Sequence, residues 1–181
     1  MIPELDVVSD PSFLSDLPSR TMDDLRSVRS RLQSLENSCS YVRRLIQGRV
    51  DIVGGELQRR REGGSDGDAG ELIGRLPDIL SEARGETSPG AVRPPHSLEP
   101  DADVTAKLEA MLEEIVPVDQ LSNVVEMDEA ALTSSLSQLN ELEDNVSDER
   151  RTLHSLIDDV QAEVTRRYTT GEATVDGLLP S

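Results

Sequence analysis

ENSCSYVRRLIQGRVD (residues 36–51) and EDNVSDERRTLHSLID (residues 143–158) lie 107 residues apart and align position by position. Neither contains proline, and in both the apolar residues recur at steps of three and four, the spacing of one face of an α-helix. The stretches around them extend the match. Leu25, Leu32, Leu35, Val53 and Glu56 align with Leu132, Leu139, Leu142, Val160 and Glu163, and Arg59-Arg60 align with Arg166-Arg167. The chain is therefore built on two long helices, residues 21–61 and 128–170, each about 60 Å long.

The apolar stripe of the first helix is Leu35, Cys39, Val42, Ile46, Val50, Val53 and Leu57. The second repeats it with Leu142, Val146, Glu149, Leu153, Ile157, Val160 and Val164. The steps depart from strict heptads, which favours a straight, locally unwound coil. Glu149 is the one conflict in this seam, and an arginine across the coil is its expected partner. Cys39 aligns with Val146 and reads as a small seam residue.

The polar residues in the alignment are Glu36, Ser40, Arg43, Gln47 and Asp51, then Glu143, Ser147, Arg150, His154 and Asp158. Each one directly follows a seam residue, so each set forms one stripe along one flank, about 22 Å long. In a parallel pair the two flanks would face opposite sides of the coil. In an antiparallel pair they meet on one side about a two-fold axis, so the fold expected is an all-α antiparallel coiled-coil hairpin. Arginine forks match phosphate oxygens or the O6/N7 edge of guanine. Carboxylates accept from the N1 and N2 hydrogens of guanine. Two-fold symmetric residues of these types point to a symmetric anionic nucleotide. The four carboxylates are expected to repel one another and hold the helices apart on that flank until a ligand bridges them.

The pattern resembles the RsiG family of anti-sigma factors of sporulating actinobacteria, with the signature E-x3-S-x2-R-x3-Q-x3-D on each helix of an antiparallel coiled coil. The first copy here matches at all five positions. The second matches at Glu143, Ser147, Arg150 and Asp158, with His154 in place of glutamine. A neutral imidazole has one donor where the amide has two. The resemblance implies that these ten residues hold cyclic di-GMP, as two molecules across the coil. It also implies that a sigma factor of the WhiG type is the partner, sequestered so that sporulation genes are repressed. The competing readings are a structural coiled-coil adaptor and a cyclic di-GMP effector with a different protein partner.

The rest of the chain fits around the hairpin. Residues 1–20, with Pro3, Pro11 and Pro18, read as a flexible acidic arm. Residues 62–127 read as a linker region with short helices at 71–83 and 103–116, and residues 171–181 as a tail. Aromatic residues are 2% of the chain and charged residues 30%, which suits thin helical packing more than a thick globular core. A net charge of −18 disfavours direct binding to nucleic acid and favours a basic protein partner. One cysteine and two histidines without ligand spacing leave no expected metal site. No Ser/His/Asp arrangement or phosphate-cradling glycine loop suggests an enzyme. No basic leader or apolar span is present, so a cytoplasmic location and no membrane contact are expected.

Overall fold

The computed structural model describes residues 3–10, 12–63 and 99–173. Among them the protein is all α. The helices are α1 (Pro3–Ser9), α2 (Met22–Arg61), α3 (Ala102–Ile115), α4 (Val118–Ser122) and α5 (Glu129–Thr170), with 3₁₀ turns at Leu17–Ser19 and Val124–Glu126.

Local signals set the ends of the long helices. Thr21 and Asp24 form a reciprocal capping box at the start of α2. Asp128, 107 residues on, caps α5 by accepting from the backbone N–H of Ala131. Gly171, with φ of 76°, ends α5 in the left-handed conformation that suits glycine. Contacts between the two helices climb one and descend the other. Arg26 meets Tyr168, Glu36 meets His154, Arg43 meets Glu143, and Leu136 lies over Gly54. The hairpin is antiparallel.

The seam is buried almost throughout, with Val50 and Ile157 only partly covered. Each buried leucine or isoleucine contributes about 2 kcal/mol of apolar transfer energy, and these residues carry most of the stability of the pair. Burial on α2 extends beyond the seam, however. Ser38, Arg49, Ile52 and Glu56 are also buried, and each directly precedes a seam residue. On a helix they form the flank opposite the motif residues, which directly follow the seam.

The short helices form a second layer on that side. Helix α3 runs parallel to α2. At its start Ser34 Oγ donates to the carbonyl of Glu99 (2.6 Å), and Ser38 Oγ donates to that of Asp101 (3.2 Å). At its end the Arg49 guanidinium donates to the carbonyls of Leu112 (2.9 Å) and Val116 and pairs with Glu113. Lys107 of α3 pairs with Glu4 of α1. Leu5 and Val8 of α1 are 1% and 0% exposed.

Residues 1–20, read from sequence as a flexible arm, thus carry a helix and a 3₁₀ turn packed on the hairpin. The prolines bracket this helix without interrupting it. Pro3 occupies its first turn, where the missing N–H has no helical acceptor to lose. The short helix read at 71–83 lies outside the described residues.

The 107-residue repeat extends past the long helices. The 3₁₀ turns Leu17–Ser19 and Val124–Glu126 are offset by the same interval, and Leu5 aligns with Leu112. The second layer thus repeats in part, with α1 matching the C-terminal half of α3.

Candidate functional site

Antiparallel pairing brings the two motifs together on the flank left open by the second layer. The contacts are reciprocal. Arg43 Nε of α2 donates to Glu143 Oε1 (2.8 Å) and Ser147 Oγ (2.8 Å) of α5. Arg150 Nε of α5 donates to Glu36 Oε1 (2.9 Å) and Ser40 Oγ (2.8 Å) of α2. Within each helix the serine donates to the glutamate one turn earlier, at 2.7 Å for Ser40 and 3.1 Å for Ser147.

The fourth motif position closes each half-site. Gln47 Nε2 donates to Glu143 Oε1 (3.2 Å), and His154 Nε2 lies 3.2 Å from Glu36 Oε1. The imidazole reaches the same carboxylate oxygen position as the amide. Asp51 and Asp158 are exposed and make no side-chain hydrogen bond or ion pair among the described residues.

This geometry overturns one expectation. The motif carboxylates do not hold the helices apart, because Glu36 and Glu143 are each neutralised by an arginine from across the coil. The two helices are joined across this flank by both pairs. Each arginine is held through Nε, and neither makes another side-chain bond among the described residues. The guanidinium groups are thus oriented by the carboxylate and serine behind them.

Glu149 is 7% exposed and borders a cavity of about 100 Å3 lined also by Leu5, Leu108, Met111, Leu142 and Val146. It faces Cys39. Burial, reinforced by the charges of Glu149 and Glu36, pushes the Cys39 thiol up to about 12. The thiolate is the nucleophile, so native protein at pH 8 should resist iodoacetamide and react only on unfolding. Mass spectrometry with and without denaturant reads this directly, and rapid native alkylation would contradict the buried position.

Several structural anchors were not read from sequence. Arg60 and Arg167 align in the repeat, and both tie down a 3₁₀ turn. Arg60 donates to the carbonyl of Val125 (2.9 Å), and Arg167 donates to those of Leu17 (3.0 Å), Pro18 (3.2 Å) and Arg20 (2.6 Å). Glu56 and Glu163 hold these arginines from one turn earlier. Hydrogen bonds from Arg166, then Arg167, lower the Glu163 carboxyl to about 2. That contribution is full above the ordinary carboxylate range and is lost as pH falls toward 2. The signal was the repeated E-x3-R, which reads in sequence only as complementing the helix dipole.

No metal-binding cluster occurs among the described residues, and no described helix is long and apolar enough to cross a membrane. A family model described as RsiG-like matches residues 11–80 and 118–181. The starts of these two stretches, 11 and 118, are separated by the same 107 residues as the repeat. No curated protein matches the chain.

Proposed function

The chain belongs to the RsiG-like family, and on that footing we propose that it is a cyclic di-GMP-dependent anti-sigma factor. Two nucleotides lie across the motif flank, and the loaded protein sequesters a WhiG-type sigma factor in the cytoplasm, repressing sporulation genes. The observation that carries this reading is the reciprocal cross-coil clamp of Arg43 on Glu143 and Arg150 on Glu36. It supplies two matching recognition units, differing at Gln47 and His154, about one two-fold axis, as a two-fold ligand needs.

In each unit the Nη edge of the arginine is aimed at a guanine O6/N7 edge or a phosphate. The exposed Asp51 and Asp158 are available to accept from guanine N1 and N2. Guanines of the two nucleotides stack on each other, which suits a site without aromatic side chains. The acidic outer surface presents a complementary charge to a basic, DNA-binding partner.

Calorimetry with cyclic di-GMP should give two nucleotides per chain, with GMP binding far more weakly. One site per chain, or equal affinity for GMP, would remove the two-fold reading. The sigma factor should be retained on immobilised protein more strongly with nucleotide than without. Coupling of about 1–3 kcal/mol is typical of such linkage and acts in both directions. Equal retention without nucleotide would leave a constitutive partner. Nucleotide binding with no sigma factor retained would leave an effector of another protein, and loss of both would leave a coiled-coil adaptor.

A further inference from the structure

We infer that Arg44 and Arg151 are additional ligand residues, taking the phosphodiesters of the nucleotide that Arg43 and Arg150 recognise; the inference rests on the proposed nucleotide site.

The first observation is the repeat. Arg44 aligns with Arg151 at the 107-residue offset, immediately after the motif arginines. Neighbouring outer positions are not kept: Tyr41 aligns with Asp148, and Gly48 with Ser155. An arginine therefore recurs where the surrounding surface has diverged.

The second is that packing does not account for it. Both side chains are exposed. Arg44 has no hydrogen bond or ion pair among the described residues. Arg151 touches only Asp148, on its own helix and itself 65% exposed, and such surface pairs contribute little.

The third is position. Arg44 stands four residues after Ser40, three before Gln47 and seven before Asp51. Arg151 stands in the same relation to Ser147, His154 and Asp158. Residues at these steps share one face of a helix, so both arginines border the motif flank on its outer side.

The fourth is charge. Among the ten motif positions, two arginines stand against four carboxylates. Cyclic di-GMP carries two phosphodiester charges per molecule, so two molecules bring four more. A site of that sign repels its ligand unless cations lie beside it. Arg44 and Arg151 are the nearest on the sequence that carry no structural role, and their forks suit phosphate oxygens.

The test uses the full chain and cyclic di-GMP as probe. Arg44→Gln/Arg151→Gln should bind about tenfold more weakly for each arginine replaced, and its affinity should depend less on salt, because fewer ion contacts form. Arg44→Lys/Arg151→Lys should recover the salt dependence and part of the affinity, since charge returns without the fork. Circular dichroism should match wild type for both. If wild type binds, and the glutamine variant binds with the same affinity and salt dependence, the inference is overturned and the proposed function stands. If wild type does not bind at all, both fall together.

Discussion

Replacing Arg43 and Arg150 together with alanine should abolish cyclic di-GMP binding while the hairpin stays folded. Each guanidinium supplies a charge-assisted contact of about 1.5–3 kcal/mol, so the pair should cost at least a hundredfold in affinity. The effect on the fold is much smaller. Arg43 and Glu143 are partly exposed, as is Arg150, and pairs of that kind contribute about 0–1 kcal/mol. The two singles should differ in stability. Glu36 is less exposed than Glu143, at 14% against 20%, so Arg150→Ala leaves the more buried carboxylate short of a cation. Ser40 partly compensates it. A binding isotherm and a circular dichroism spectrum on one sample decide the matter. Loss of helicity along with binding would make the arginines structural and remove the basis for a ligand site.

The hairpin and the motif flank were legible in the sequence because both rest on periodicity. Apolar steps of three and four mark the seam, and a polar set copied at a fixed interval marks the flank. Antiparallel direction followed from symmetry alone. The second layer was not legible in the same way. Its docking flank on α2 consists of Ser34, Ser38, Arg49, Ile52 and Glu56, a mixture that reads as a solvated face until the backbone carbonyls of α3 are placed against it. Only asymmetry between the copies hinted at it, since Arg49 aligns with Leu156. The N-terminal arm was misread for a related reason. Proline density suggested irregular chain, yet Leu5 and Val8 stand one turn apart and bury completely between the prolines. Repulsion among the motif carboxylates is overstated when they are summed without their partners. Two of the four meet arginines across the coil, and only three-dimensional register shows which.

The Arg49 fork should prove the main tie between the hairpin and its second layer. Arg49 is 8% exposed and donates to the carbonyls of Leu112 and Val116 at the end of α3, where helical donors run out; the Leu112 carbonyl also accepts from the Val116 N–H. Arg49→Ala removes the side-chain donor from both carbonyls, leaving Leu112 only its bond from the Val116 N–H, and opens a gap beside Ile52. Breaking a fully buried ion pair costs about 3–5 kcal/mol, but Glu113 is 45% exposed and can return to water, so about 2–3 kcal/mol is expected. Arg49→Lys should restore little, because one ammonium cannot span two carbonyls and a carboxylate in the same plane. Loss should be local. Amide exchange across residues 102–116 should accelerate while the seam of α2 and α5 remains protected. Nucleotide affinity should change only slightly, since Arg49 precedes a seam residue and Arg43 follows one, which places them on opposite flanks. Unchanged exchange in α3 would mean that Ser34, Ser38 and the apolar contacts hold the layer without Arg49. A large loss of nucleotide affinity would mean that the two flanks communicate through the seam.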